Sequence, residues 1–178
     1  MKLRRLLILA VAVCLHRSVA FYMYYWAYGS NMNPSILKTR TFLDESVDLK
    51  EEPAVLENHR LSFVIGPPSG PCAAVVREDT GSVVHGLLFK LPVASWPALL
   101  ASEGVPLGYS VKKVPVKTYG GSTKIARTLM DSTLSASRTS EGAPSERYLN
   151  LLKKGAEKNG IMSSYRDELD QITIWDSK

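Results

Sequence analysis

The stretch Met23–Tyr28 constrains the fold of this chain more than any other. It is an unbroken run, Met-Tyr-Tyr-Trp-Ala-Tyr, that stops at Gly29-Ser30-Asn31. Aromatic residues favour extended backbone, so the run reads as a short buried strand. Asn33-Pro34 follows; Asn caps a helix and Pro suits its first position, which predicts a short helix from Pro34 to about Arg40. The segment is therefore strand, turn, helix. Two readings of its turn are open. It is a plain connection, or it is a cradle in which Gly29, Ser30 and Asn31 present donors to an anion near the positive end of the helix.

The remaining chain supplies partners for that strand. Val47–Glu57 is strand-like but interrupted by Pro53, and Leu61–Ile65 runs into Gly-Pro-Pro. Cys72–Val76 and Val83–Leu91 flank a polar Arg77–Gly81 segment, which predicts a hairpin around Asp-Thr-Gly. Ala94–Ser102 reads as a brief helix with Trp96, Leu99 and Leu100 on one side, ended by Glu103-Gly104. Tyr109–Tyr119 alternates Val111, Val114 and Val116 with lysines, turns at Gly120-Gly121, and returns through Thr123–Met130 as a second hairpin. Ser132–Pro144 is a long loop of the kind that forms lids. Ser145 caps a helix carrying Tyr148, Leu151, Leu152 and Ala156, and a last amphipathic helix carries Tyr165, Leu169 and Ile172. The class is α+β, hairpins first and a helical pair last.

Residues 1–20 are a separate object: a basic start, a Leu6–Leu15 apolar run too short to span a bilayer, and small residues at Ser18 and Ala20. This is the layout of a cleaved secretory signal, leaving a single domain over 21–178 with no stable membrane span. The expected location is secreted or lumenal, and cytoplasmic if the leader is not a signal. The full 178-residue chain carries 22 basic and 17 acidic side chains. Lys2, Arg4, Arg5 and Arg17 all lie in the leader, so the remainder is nearly neutral. With no basic stripe, nucleic acid is excluded as a partner. Cys72 is then the lone cysteine, read as a small buried residue of its strand.

Several chemistries fall away. His59 and His85 have no second ligand at helical or strand spacing, so no metal is expected. Tyr-Gly-Ser-Asn is not the Gly-x-Ser-x-Gly of a serine hydrolase. Gly29 lacks the further glycines of a dinucleotide fingerprint. Glu103 stands out instead. It follows an apolar helix and sits among Leu99, Leu100, Val105 and Leu107, where desolvation would suit a carboxyl for proton transfer. A solvent-facing Glu at the helix end is the plain alternative.

Three segments, "YWAYGSNM", "SEGVPLGY" and "SERYLNLLKKGAEKNGI", resemble in order the signature segments of the γ-glutamylcyclotransferase family. The likeness spans Tyr24 to about Ile172. It implies a small mixed β-barrel or curled sheet with flanking helices. It implies conversion of a γ-glutamyl amino acid to 5-oxoproline, with no cofactor and a small-molecule substrate. Glu103 would be the general acid/base. The substrate-binding set would be Tyr25, Trp26, Ala27, Tyr28, Gly29, Ser30 and Asn31, with Tyr109 and Tyr148. A homodimer stays open. The family's Gln before the catalytic Glu is Ser102 here, a family tyrosine is Thr128, and "GPPSGPC" replaces a more polar loop. Familiar members are cytosolic, so the leader is unusual. The glutathione-specific relatives carry Tyr-Gly-Ser-Leu, and Asn31 argues against that branch. Action on γ-glutamylamines or glutathione, or a non-catalytic binding module, are the alternatives.

Overall fold

The computed structural model describes residues 21–67, 70–132 and 141–176. The leader-like segment and the middle of the Ser132–Pro144 loop lie outside the described residues. Five strands form a closed barrel in the order β1-β3-β2-β4-β5. They are β1 (Tyr22–Ala27), β2 (Glu51–Ile65), β3 (Ala73–Pro92), β4 (Tyr109–Thr118) and β5 (Thr123–Asp131). Among the described residues four α-helices flank them: α1 (Pro34–Thr41), α2 (Trp96–Ser102), α3 (Glu146–Lys158) and α4 (Ser163–Asp170). The fold is thus a small α+β barrel with flanking helices.

Local signals place several elements as the sequence predicts. The Asn33 side chain accepts from the Ser35 N–H at 3.1 Å and Pro34 opens α1. Ser145 Oγ accepts from the Tyr148 N–H at 3.2 Å and opens α3. Gly104 has a φ of +65°, which carries the chain out of α2. β4 and β5 form the expected hairpin, Tyr109 pairing with Asp131 and Lys117 with Thr123.

The first expected hairpin does not exist. Ala73–Pro92 is one strand, and its partner is the equally continuous β2, paired antiparallel from Glu51↔Phe89 to Ile65↔Ala73. The Asp-Thr-Gly signal is used for a bulge instead. Between Glu57↔Val83 and His59↔Glu78, the single residue Asn58 opposes residues 79–82. Gly81 takes a φ of +89° there, Asn58 a φ of +58°, and the Asn58 side chain accepts from the Gly81 N–H at 3.1 Å. Pro53 likewise does not break β2. Its carbonyl accepts from Tyr119 N–H at 2.9 Å, so its backbone edge faces the end of β4. That ladder is only Ala54↔Thr118 and Val55↔Lys117, a place where a missing N–H costs little. Cys72 sits just before β3, half-buried and free, not within the strand.

The barrel closes along a thin seam. β1 and β5 run parallel and share one register pair, Tyr25↔Arg127. Side chains complete what the ladder does not. Buried Thr128 donates to the Trp26 carbonyl at 2.9 Å, and Tyr28 Oη donates to the Leu129 carbonyl. Fully buried Trp26 crosses the interior and donates from Nε1 to the Ala54 carbonyl on β2 at 3.2 Å. β3 passes so close to β1 that a Cβ on Gly86 would lie 2.3 Å from the Ala27 oxygen. Thr128→Val keeps the shape and removes the seam donor from a buried carbonyl. It is expected to cost about 1–3 kcal/mol in urea unfolding. An unchanged midpoint would mean that the seam does not rely on this bond.

Candidate active site

A cavity opens beside the seam, where β1 leaves the barrel. It is lined by Tyr25, Tyr28, Gly29, Ser30, Asn31, Arg40, Ala74, Leu129, Glu103, Tyr109 and Tyr148. Eight of the ten residues singled out by sequence therefore meet in one place. Trp26 and Ala27 do not line it; Trp26 is spent on the barrel interior. Arg40, Ala74 and Leu129 are additions.

The turn after β1 is a 3-10 turn, Ser30–Met32, not a direct entry into α1. It closes with Met32 N–H to Gly29 O at 2.9 Å and Asn33 N–H to Ser30 O at 3.1 Å. Its leading N–H groups, those of Ser30 and Asn31, have no backbone or side-chain acceptor among the described residues, as expected at a helical start. The N-terminus of α1 itself lies outside the cavity lining. From α1 it is Arg40, in the last turn, that reaches the site. Helix α3 clamps the turn from behind. A Cβ on Gly155 would lie 3.1 Å from Met32 Cβ, and Asn159 Nδ2 donates to the Met32 carbonyl at 3.0 Å. This contact explains the Gly-Ala-x-x-Asn-Gly sequence at the end of α3. Gly29 is needed for clearance: a Cβ there would stand 3.2 Å from Tyr148 Oη.

Asn31 organises the polar side of the cavity. Its Nδ2 donates to Glu103 Oε1 and to Tyr25 Oη, each at 2.9 Å. Its Oδ1 accepts from Arg40 Nη1 at 2.7 Å. The same Nη1 donates to Ser30 Oγ at 3.2 Å and pairs with Glu103 Oε1. Glu103 is the C-terminal cap of α2 and its side chain is only 12% exposed. The apolar surround expected for it is not what its carboxyl faces. Leu99 is turned into the core and Leu107 is 72% exposed, while the carboxyl meets a guanidinium and an amide. Glu103 Oε2 has no hydrogen-bond partner among the described residues.

Hydrogen bonding sorts the four tyrosines. Tyr109 Oη donates to the Ala74 carbonyl at 2.9 Å, and Tyr28 Oη donates to Leu129; both protons are committed to the framework. Tyr148 Oη instead accepts from the Ala74 N–H at 3.2 Å, and Tyr25 Oη accepts from Asn31. Their own O–H protons are uncommitted among the described residues. Burial, with the nearby Glu103 charge, holds Tyr25 well above the usual phenol range. Burial raises Tyr28 and Tyr109 as well, and pushes Tyr148 up to about 12. All four are neutral donors near neutral pH, and among the described residues Glu103 is the one carboxyl side chain in the lining. Among the described residues there is no cluster of three metal-ligating side chains, and no helix is long and apolar enough to cross a membrane.

Residues 83–169 match the AIG2-like family. Over 180 residues the chain is 28% identical to a gamma-glutamyl cyclotransferase of Aspergillus fumigatus, covering 86% of this chain and 63% of that one. It is 27% identical to a gamma-glutamylcyclotransferase of Bos taurus, covering 86% and 80%. A solved structure titled gamma-glutamyl cyclotransferase superposes with a TM-score of 0.76 at 25% identity, covering 89% of this chain and 92% of that one. These matches support the γ-glutamylcyclotransferase family and a γ-glutamylcyclotransferase-like enzyme.

The buried phenols carry a pH consequence. A tyrosine ionises near 10 in an unfolded chain. Tyr148 holds its proton to about 12 in the native state. Above pH ~10 the native state therefore binds more protons than the unfolded one, and rising pH favours unfolding. The urea midpoint is expected to fall between about pH 9 and about pH 11. Phenolate absorbance should show the buried tyrosines ionising only with that unfolding. Full ionisation of all tyrosines in the folded protein would contradict this account.

Proposed function

We propose that this γ-glutamylcyclotransferase-like chain converts a γ-glutamyl amino acid into 5-oxoproline and the free amino acid. The observation that carries the reading is one carboxylate, Glu103, with one oxygen held by Asn31 and Arg40 and the other unengaged, facing a turn with unpaired N–H groups and two uncommitted phenols.

The reaction needs little more. Nucleophile and electrophile belong to one molecule, so the cavity has to hold the substrate folded. The α-ammonium passes a proton to Glu103, and the freed amine attacks the γ-carbonyl carbon. A C–N bond closes the five-membered ring, and the carbonyl oxygen becomes an oxyanion. Donors placed in advance for that oxygen lower the barrier without reorganising. The N–H groups of Ser30 and Asn31 and the hydroxyls of Tyr25 and Tyr148 are the candidate donors. Collapse breaks the bond to the leaving nitrogen. The α-nitrogen gives up two protons on the way to the lactam N–H, and the leaving nitrogen gains two and departs as ammonium. Glu103 relays them and ends as a carboxylate. The chemistry as written uses no cofactor.

The leaving group is read by whatever faces the cavity mouth, so a panel of γ-glutamyl amino acids, γ-glutamylamines and glutathione separates the substrate classes. A secreted or lumenal location remains our reading of the leader, tested by whether the N-terminus of the protein purified from its own cells begins after Ala20.

Purified protein incubated with γ-glutamyl amino acids is expected to release 5-oxoproline. Glu103→Gln should lower kcat by roughly 100- to 10,000-fold with the circular dichroism spectrum retained. Undiminished turnover in that variant would remove Glu103 from the mechanism, and no product from any γ-glutamyl substrate would remove the assignment.

A further inference from the structure

We infer that Arg40 is the anchor for the substrate's α-carboxylate, and that substrate binding exchanges the Arg40–Glu103 ion pair for two new ones. The inference rests on the γ-glutamyl reading above. Arg40 is the one cation and Glu103 the one anion among the described residues that line the cavity. They pair with and neutralise each other. A γ-glutamyl group brings an α-ammonium and an α-carboxylate on the same carbon. Charge is conserved in the exchange: Arg40 turns to the carboxylate, Glu103 to the ammonium. Neither protein charge is left buried and alone, the situation that is most costly in a partly desolvated site.

The geometry leaves Arg40 able to do this. All three of its contacts, to Ser30 Oγ, Asn31 Oδ1 and Glu103 Oε1, are made by Nη1. A guanidinium carries five N–H donors, and those of Nε and Nη2 are unengaged among the described residues. Two acceptors other than Glu103 keep the group in place when Glu103 lets go. The side chain is 32% exposed while lining the cavity, so it has room to turn. The guanidinium fork matches a carboxylate in plane and spacing, which an ammonium does not. The exchange also times the chemistry. Glu103 is tied to Arg40 until a ligand bearing both charges arrives, and it then meets the ammonium whose proton it must take.

The test compares two substrates and two proteins. A γ-glutamyl dipeptide is set against the same dipeptide with its α-carboxylate converted to the carboxamide. The native protein is expected to prefer the carboxylate by about 10- to 100-fold in kcat/KM, the range of one charge-assisted pair. Arg40→Gln, which also takes from Glu103 its charged partner, should erase that preference by lowering kcat/KM more on the carboxylate substrate than on the carboxamide substrate, chiefly through KM. Equal loss on both substrates would mean that Arg40 serves the oxyanion or merely places Glu103, and would overturn the inference. So would a preference that survives in Arg40→Gln. If that variant does not fold, Arg40→Lys replaces it. A preference weaker than native, with KM moved more than kcat, supports the inference, and an unchanged preference overturns it. Calorimetry with 5-oxoproline and its carboxamide separates this inference from the proposed activity. Tighter binding of the carboxylate, lost in the variant, supports the anchor even where no turnover is found. No difference between the two ligands overturns it while leaving the cyclotransferase reading to its own assay.

Discussion

The closing of the barrel between β1 and β5 is the constraint on which the rest of the structure turns. Two strands that paired along their length would bury their edges and leave no opening. Here they meet at one register pair and are held beyond it by side chains, Thr128 to Trp26 and Tyr28 to Leu129. The chain leaving β1 is therefore free to turn outward at Gly29, and the gap beside it becomes the cavity. Its walls come from β1, β3, β4 and β5 at once, because at a barrel mouth the strand ends converge. Ala74 shows the economy of this arrangement: its N–H positions one tyrosine and its carbonyl another.

An amide buried in such a place needs partners at both ends, since an unpaired buried group costs more than a bond returns. Asn31 meets that demand with both ends of its amide. Carbonyl to Arg40 and amine to Glu103 and Tyr25 is the only orientation consistent with a guanidinium on one side and a carboxylate on the other. A leucine at this position could make none of these contacts. The position that distinguishes Tyr-Gly-Ser-Asn from Tyr-Gly-Ser-Leu is thus the one on which the arrangement of Tyr25, Arg40 and Glu103 rests.

The legible parts of this fold were those decided within a few residues. Asn33-Pro34 and Ser145 are caps whose chemistry is local, and each starts the helix expected of it. The lysine–valine alternation of β4 reports one wet and one buried face. The turn signal at Asp79–Gly81 misled because Gly with positive φ serves a bulge as readily as a hairpin. Only the neighbouring strand decides between them, and that strand is not in the local sequence. Pro53 misled for the same reason, being tolerated by a ladder that is short for reasons of barrel closure. Within the site, Gly29, Asn31 and Glu103 could be singled out because each lies in a turn or at a helix end, whereas Tyr148 was marked only by the family resemblance. Arg40 had no such mark. Lys38-Thr39-Arg40 is an ordinary basic last turn, and its meeting with Glu103 is a matter of how α1 and α2 pack. An Arg two turns after a candidate binding turn, on a helix that begins there, is the signal that could have found it.

The clamp of α3 on the Ser30–Met32 turn has a consequence for how the protein is made. Apart from Tyr148, everything proposed to do chemistry or hold the substrate's charges, from Tyr25 to Glu103, is synthesised before the clamp exists. Gly155 and Asn159 arrive more than a hundred residues after the turn they hold. On the ribosome the barrel strands can pair first, with the site still slack. The site is completed only after α3 is made, when a helix whose one cavity-lining side chain is Tyr148 docks and stills the turn. A chain that stops short of α3 therefore carries both Glu103 and the Ser30–Met32 turn, without the helix that holds the turn in place.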